Sequence, residues 1–349
     1  MKRKYAAILI IVVVVGTGSF LWNHFINPDP VSAELKQMVT DSKTSTFSVK
    51  KWEEADRYSK KAIKFKEKDE LMSYGNEFAV TGVKLKAPYG IACLPEGILL
   101  ADHGENCLYL IDYSGNLVRK IGELGNGPNQ FQKPTGCTYH NGYYYVIDSG
   151  NKRIVILDRQ FNYTKELKLP KSEREPEKEF TDIAINDKGD IYISGSYLYD
   201  SGLYRYNLGK EKFENVQKYF YGSLKEFDGE VYAVDQFRIY VDFEKKEITG
   251  GAGPNALWRL DGRNIKKLSN LPAGLNAGSF ELLRDNLIIC SPFHSAVMVF
   301  NMKNGKYMSN IYEVDKMDYK TYASIYGSDL YITEPEKGKI LKISLEKLQ

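Results

Sequence analysis

The chain has 349 residues, and 13% of them are aromatic, with 26 Tyr and 16 Phe. Because 48 Lys and Arg offset 45 Asp and Glu, the formal charge is only +3, and no basic run indicates a nucleic-acid partner. The four cysteines show no Cys-x-x-Cys spacing, which argues against a zinc knot. Length and aromatic content favour a large β-rich domain.

The N-terminus predicts a membrane anchor. Lys2, Arg3 and Lys4 precede an uncharged run, Tyr5–Phe25, whose 21 residues would form a helix about 31 Å long, enough to span a bilayer core. A cleaved signal peptide is the alternative, but no Ala-x-Ala site follows the run. Since positive residues tend to stay in the cytoplasm, we expect a single-pass protein of the cell membrane whose remaining chain lies outside.

Residues 27–77 predict an extracytoplasmic stalk rather than part of a sheet. Pro28 and Pro30 end the apolar run, and apolar residues then recur at helical spacing between charges over residues 52–63. We expect a partly helical spacer, with a docking helix for a neighbouring membrane protein as the alternative. The predicted domains are an anchor over residues 1–26, this stalk over 27–77 and a β domain over 78–349.

The stretch from Gly122 to Leu169 shows the organisation of the β domain most fully. Four short β-rich runs separated by Gly, Asn and Pro turns predict one antiparallel four-stranded sheet. Its two halves carry the motifs Gly125-x-Gly127-Pro128-x-x-Phe131-x-x-Pro134-x-Gly136 and Val146-x-Asp148-x-x-Asn151-x-Arg153-Ile154. These motifs resemble the NHL repeat, a family whose tandem copies form the blades of a β-propeller. The resemblance implies that this stretch is one blade.

Five further stretches repeat the pattern partially, which predicts an all-β, six-bladed propeller. A β-sandwich is the alternative, but it does not explain the recurring register. The fourth repeat carries an insertion of roughly 19 residues, from Phe237 to Asn255. The sixth repeat stops one strand short, and we expect the segment Phe78–Lys86 to supply that outer strand and close the ring.

Two of the cysteines fall on predicted innermost strands of adjacent blades. Cys93 and Cys137 are two positions out of step in the repeat alignment. We expect buried free thiols, since free Cys behaves as a small apolar residue, and a disulfide is the alternative.

Acidic residues recur at the end of the second strand in four repeats, namely Asp102, Asp148, Asp235 and Glu334. These strand ends would surround the mouth of the central channel, and clustered carboxylates could bind a cation such as Ca²⁺. The alternative is that each carboxylate caps its own turn. His103 and His294 lie in matching turns and would make a zinc or iron site if they converged.

The resemblance also implies activities to consider. NHL-type propellers include a peptide-amidating lyase that holds one metal with histidines, and the similar gluconolactonase-like propellers use a Glu/Asn/Asp metal set. Neither set maps residue by residue onto this sequence, and no Gly-x-Ser-x-Gly, phosphate-loop or His-Glu-x-x-His motif is present. The enzymatic alternative is therefore a metal-dependent lyase or lactonase at the channel mouth. Its candidate residues are Asp102, His103, Asp148 and Glu334, with calcium or zinc as the candidate metal.

The main functional hypothesis is binding rather than catalysis. Aromatic residues lie in an enlarged turn of the third repeat and in or near the fourth-repeat insertion, namely Tyr197, Tyr199, Phe237, Tyr240 and Trp258. Adjacent enlarged loops rich in Tyr are typical of interfaces. We therefore expect an extracytoplasmic module that binds a protein or peptide through one rim, with a polysaccharide ligand as a further alternative.

Overall fold

The structure is a computed structural model that describes residues 48–50, 71–171, 179–197, 200–218, 220, 222–235, 238–242, 247–251, 256–272, 275, 277–292, 294–318 and 320–349. These residues contain six antiparallel four-stranded sheets, so the chain is an all-β six-bladed propeller, as predicted. The predicted anchor, Tyr5–Phe25, lies outside the described residues. Within them, no helix has both the length and the apolar character needed to cross a bilayer.

Each blade runs from an innermost strand near the axis to an outermost strand at the perimeter. Blade one consists of Pro88–Leu94, Gly97–Asp102, Cys107–Ile111 and Leu117–Ile121. Blade two consists of Pro134–His140, Tyr143–Asp148, Arg153–Leu157 and Tyr163–Lys168. Blade three consists of Glu179–Ile185, Ile191–Tyr197, Asp200–Asn207 and Lys212–Lys218. Blade four consists of Gly222–Phe227, Glu230–Asp235, Ala256–Asp261 and Asn264–Asn270. Blade five consists of Ser279–Leu283, Asn286–Ser291, Ala296–Asn301 and Tyr307–Glu313. Blade six consists of Tyr322–Tyr326, Asp329–Glu334, Lys339–Ser344 and Gly75–Glu77.

A few short elements lie outside the blades. Glu123–Leu124 pairs in parallel with Gln130–Phe131 in the connection between blades one and two. Single 3₁₀ turns form at Leu208–Lys210 and at Glu346–Leu348.

Turn chemistry and strand burial explain why these residues form blades. In blade two the two-residue turn Asn141-Gly142 has positive φ at both positions, 47° and 86°, which matches the twist of the strands that it joins. The second strand of blade one, Gly97–Asp102, is buried at every position because neighbouring blades cover both of its faces. Its sequence is accordingly an apolar run and does not alternate.

The hydrophobic core is divided among the seams between blades. Leu99 of blade one packs in a cluster with Val155 of blade two, and Ile154 of blade two packs with Ile193 of blade three. Comparable clusters fill the other four seams among the described residues. No blade therefore buries its apolar faces without both neighbours.

Buried hydroxyl groups also join one blade to the next. Thr135 Oγ1 of blade two donates to the carbonyl of Phe180 at 2.7 Å, and Ser194 Oγ of blade three donates to that of Gly222 at 3.0 Å. Ser223 and Thr333 make equivalent bonds in two other seams. These bonds satisfy polar groups where the innermost strands crowd together.

The ring is closed by a strand that lies just before the predicted one. Gly75–Glu77 pairs antiparallel with Lys339–Ser344, and the Phe78 amide adds a bond to the Ile340 carbonyl at 2.8 Å. The expectation that Phe78–Lys86 forms this strand is wrong. The chain leaves blade six at Phe78, whose ring packs edge-on against Tyr331, and Thr81 then bridges to Asn116 of blade one. The propeller thus begins before residue 78.

The predicted insertion in blade four is present between Asp235 and Ala256, since the strands that end and begin at these residues pair with each other, with Val234 opposite Leu257. It contains an antiparallel hairpin of Arg238–Asp242 and Glu247–Gly251. Ser48–Lys50, from the predicted stalk, adds to Glu247–Gly251 in parallel. Part of the stalk is therefore a strand on the insertion, whereas the expected helical pattern over residues 52–63 lies outside the described residues.

The closing strand gives a direct stability test. A side chain at Gly75 would meet the Tyr312 ring at 2.4 Å, so Gly75→Val should lower the free energy of unfolding by about 1–3 kcal/mol through overpacking. Asn76→Val, on the exposed side of the same strand, should change it by less than about 0.5 kcal/mol. Chemical denaturation measures both. Equal effects would show that Gly75 does not pack on blade five.

Candidate functional site

One face of the ring gathers the features that the sequence singled out. Pro88 pairs with Asp102, and Gly222 pairs with Asp235, so each second strand ends beside the start of an innermost strand. The insertion of blade four leaves the sheet at Asp235 and emerges on this same face. We call it the upper face, and it surrounds one mouth of the central channel.

The carboxylates of two predicted metal ligands are already hydrogen-bonded to neighbouring parts of the protein. Asp102 is buried and accepts four backbone N–H bonds, from Lys86, Ala87, Gly104 and Glu105, at 2.8–3.0 Å. Asp148 accepts from the Gln132 amide at 2.7 Å and from Arg153 Nε at 2.9 Å. Asp102 thus caps its own turn, which is the alternative given above, whereas Asp148 binds its following turn through the side chains of Asn151 and Arg153.

The equivalent residues of the other blades behave similarly. Asp235 accepts from the Ala256 amide at 2.9 Å, and Glu334 forms an ion pair with Lys337 of its own turn. His294 is joined to Ser291 at 2.9 Å, and burial lowers the pKa of this histidine to about 4. Across the described part of the chain, no three His, Cys, Asp or Glu side chains are grouped so that they could hold a metal.

An aromatic group lies at the channel mouth. The ring of Tyr89, from blade one, stacks on His103 with centroids 4.4 Å apart and on Tyr322 of blade six at 5.7 Å. Lys320 places its ammonium 5.2 Å from the Tyr89 centroid and 3.0 Å from Glu179 Oε2. Blades three and six are opposite each other in a six-bladed ring, so the Lys320–Glu179 pair reaches across the mouth. We call these five residues the mouth cluster.

Electrostatics make the aromatic part of the mouth cluster neutral. Burial lowers the pKa of His103 and raises that of Tyr89, so neither side chain is charged near neutral pH. The Nδ1 atom of His103 is buried and has no hydrogen-bond partner among the described residues. Since a neutral imidazole uses both ring nitrogens in hydrogen bonding, one as donor and one as acceptor, Nδ1 is an unsatisfied polar atom.

A second polar group lies deeper in the channel. Lys225 of blade four forms an ion pair with Glu281 of blade five at 2.8 Å and donates to the Ala323 carbonyl of blade six. Asp182 of blade three accepts from the Leu224 amide at 2.9 Å. The Lys225 and Glu281 side chains remain 19% and 12% exposed, so both line the channel. Burial raises the pKa of Asp182 to about 6, against the opposing effect of Lys225.

The thiols of Cys93 and Cys137 are both free, as expected, but only Cys137 is buried and Cys93 is half-buried. Cys93 Sγ lies 3.7 Å from the Ser324 carbonyl, and Cys137 Sγ lies 3.8 Å from that of Leu99. Burial raises the pKa of both thiols to about 12, so they are neutral and unreactive as nucleophiles.

The predicted partner-binding aromatics are not all placed on the rim. Tyr197 ends the second strand of blade three, and Tyr240 lies in the insertion hairpin. Trp258 lies within the third strand of blade four, where it packs in the seam between blades three and four with Lys267 5.9 Å from its ring. Tyr199 and Phe237 lie outside the described residues.

Of the mouth cluster, the sequence pointed only to His103, as a candidate metal ligand and catalytic residue, and the other four members were missed. Tyr89, Glu179 and Tyr322 all lie at the beginning of innermost strands, so their common place in the repeat was the available signal. Lys225 and Glu281 were also missed, because charged residues in a strand ordinarily indicate a solvent-exposed face.

Comparisons with known proteins agree on the fold. Residues 82–241 match the family model described as DUF5128, a 6-bladed beta-propeller. A virginiamycin B lyase from Staphylococcus aureus is similar at 14% identity and a TM-score of 0.52, over 78% of this chain and 99% of that one. A calcium-binding protein, regucalcin, from Agrobacterium tumefaciens is similar at 14% identity and a TM-score of 0.55, over 78% and 94%.

A luciferin-regenerating enzyme is similar at 11% identity and a TM-score of 0.53, over 78% of this chain and 95% of the other. No curated protein sequence matches the chain. At such identities these likenesses show the fold alone.

Capping by Asp102 predicts a stability effect that does not depend on metal. Asp102→Asn would turn an amide group toward backbone donors and should lower the free energy of unfolding by about 2 kcal/mol. The same change at Asp112, which caps an exposed turn of blade one, should lower the free energy of unfolding by a smaller amount. Denaturation with and without EDTA measures this. A loss of wild-type stability in EDTA that disappears in Asp102→Asn would instead indicate a bound cation.

The raised pKa of Asp182 predicts a pH effect of defined sign. The folded protein holds this proton more tightly than the unfolded chain, in which Asp titrates near 4. The stability of the wild type relative to Asp182→Asn should therefore fall, by up to about 3 kcal/mol, as the pH rises from about 4 through 6.

Asp158 provides the control for this measurement. Bonds from Asn162 lower the pKa of its carboxyl, so the wild type should gain stability relative to Asp158→Asn as the pH rises through 4. Denaturation series at fixed pH values measure both slopes. A flat difference for Asp182 would contradict the assigned environment.

Proposed function

We propose that the chain is a membrane-anchored, extracytoplasmic β-propeller that binds a protein or peptide on its upper face, centred on the channel mouth. The observation that carries this proposal is the stack of Tyr89, His103 and Tyr322 at the mouth, on the same face as the blade-four insertion. The anchor and the outside location are supported by the pattern of Tyr5–Phe25 and the preceding positive residues.

The mouth cluster has the chemical composition of a recognition site. Flat rings supply apolar contact area with few rotatable bonds, and Tyr is common at interfaces for that reason. The unpartnered Nδ1 of His103 is a polar atom that a hydrogen-bonding group of a ligand could satisfy. The Lys320–Glu179 pair adds one charge of each sign. A peptide offers all the matching groups: apolar side chains, backbone donors and charged side chains.

We also propose that the blades are NHL-type repeats. In blade two the motif residues support one another, because Arg153 donates to the carboxylate of Asp148 and to the carbonyls of Gly127 and Gln130. Asn151 donates to the carbonyl of Gly125 at 2.7 Å. The second half of the motif thus holds the glycine loop of the first half in place.

The alternative, a metal-dependent lyase or lactonase, is favoured by no specific observation. Its candidate carboxylates at Asp102, Asp148 and Glu334 are bonded to Gly104, Asn151 and Lys337 of their own turns. The similar structures include a lyase and a calcium-binding protein, but each is only 14% identical to this chain. Their activities are therefore properties of those proteins. A shared fold hosts many unrelated functions.

Site-specific photo-crosslinking in intact cells tests the binding face. A crosslinker at Lys133, exposed near His103 on the upper face, should capture a specific partner protein. The same crosslinker at Tyr143, exposed in the turn on the lower face, should not. The Lys133 adduct should weaken several-fold in His103→Ala, because one wall of the aromatic stack is removed.

Capture from Tyr143 but not from Lys133 would place the binding surface on the opposite face. Capture that is unaffected by His103→Ala would remove the mouth from the proposed site. Tyr143 lies in blade two and Lys133 directly precedes that blade, so the two crosslinker positions differ mainly in the face that they occupy.

A further inference from the structure

We infer that the channel mouth binds a cationic side chain, lysine or arginine, of a basic partner peptide, and that Lys320 of the chain itself occupies this site in the unbound protein. The inference rests on the proposed function and deepens it by naming the chemistry of the partner. It identifies Lys320 as an internal occupant that a partner cation would replace.

The contacts of Lys320 define what the site recognises. Its ammonium lies 3.0 Å from the carboxylate of Glu179 and 5.2 Å from the centroid of the Tyr89 ring. A carboxylate together with the face of an aromatic ring is the combination that attracts an ammonium or guanidinium group. The site therefore already holds a group of the kind that we propose as its ligand.

The Lys320–Glu179 pair is exposed enough to be exchanged. The two side chains are 43% and 31% exposed, so water reaches both partners. Ion pairs of this exposure contribute little to stability. An incoming cation could thus take the place of Lys320, whose own ammonium would move into water at small cost.

The charge of the channel below the mouth favours a cation. Asp182 and Glu281 face a single ammonium, that of Lys225. These three side chains therefore carry one excess negative charge when both carboxylates are ionised. Displacement of Lys320 leaves Glu179 as a further negative charge at the mouth. A cleft of one sign attracts ligands of the opposite sign and repels like charges.

The aromatic rings suit the stem of a long basic side chain. Tyr89, His103 and Tyr322 present stacked rings, and the methylene groups of Lys and Arg pack well on such apolar surface while the charged end stays polar. The buried Nδ1 of His103, which has no hydrogen-bond partner among the described residues, belongs to the same stack of rings.

Titration of the full-length chain in detergent micelles with two short peptides tests this inference. One peptide is Ac-Gly-Ser-Lys-Ser-Gly-NH₂, and the other carries N-acetylated lysine at the centre, which removes only the charge. Lys320→Met keeps the apolar stem and removes the internal cation, so it should bind the lysine peptide about tenfold more tightly than the wild type does. It should prefer this peptide to the acetylated one by about tenfold.

Two further variants sharpen the result. Adding Glu179→Gln to Lys320→Met should abolish the preference for the charged peptide. Lys303→Met also breaks an exposed ion pair, with Asp285, but in a turn on the lower face, so it should bind as the wild type does. Isothermal titration calorimetry measures all four proteins.

The inference is overturned if Lys320→Met binds both peptides equally, binds neither, or binds no more tightly than the wild type. Any of these results together with a persistent crosslink from Lys133 would leave the proposed function standing while removing its cationic specificity. Loss of the crosslink would instead remove the proposed function itself.

Discussion

Everything in this molecule depends on closing the ring, because each hydrophobic cluster is shared by two blades. The chain passes from the outermost strand of blade six, Gly75–Glu77, directly into blade one, so the ring is closed non-covalently inside blade six. The main-chain bonds of Gly75–Glu77 to Lys339–Ser344 hold this closure, and Phe78 packs on Tyr331 beside it. Without these contacts two blades would each expose an apolar face, and the repeats would have no stable arrangement.

Closure also creates the candidate site. Tyr89 and Tyr322 belong to blades one and six, so their stacking exists only across the closed seam. Lys320 and Glu179 come from opposite blades and meet only when the innermost strands surround one axis. The deeper contact of Lys225 with the Ala323 carbonyl, across blade five, has the same requirement. The proposed binding chemistry is therefore a property of the whole ring and of no single blade.

Local patterns were sufficient to predict the features that depend on local chemistry. The repeat period indicated six blades, and the acidic strand ends indicated turn caps, which the bonds from the Gly104 and Glu105 amides to Asp102 bear out. The insertion of blade four followed from the distance between Asp235 and Leu257 along the repeat. In each case the determining interactions lie within one blade.

The features that sequence reasoning missed depend on contacts distant in the chain. Phe78–Lys86 alternates as a strand should, yet the three residues before it, Gly75–Glu77, close the ring. The packing of Phe78 on Tyr331 takes the chain out of blade six at that point. No local sequence pattern marks Gly75–Glu77 as a strand. Lys225 and Glu281 look like residues of a solvent-exposed strand face. Only the assembled channel shows that they face each other across a seam.

Hydrogen exchange at the closing strand tests the central claim most directly. The amides of Phe78 and Ser344 join the closing strand to Lys339–Ser344 of blade six, through bonds to Ile340 and Tyr74 at 2.8 and 3.0 Å. The account predicts that they exchange as slowly as amides of the third strand of blade two, such as Val155, because opening them requires opening the ring. Exchange near the unprotected rate while Val155 stays protected would contradict closure by Gly75–Glu77.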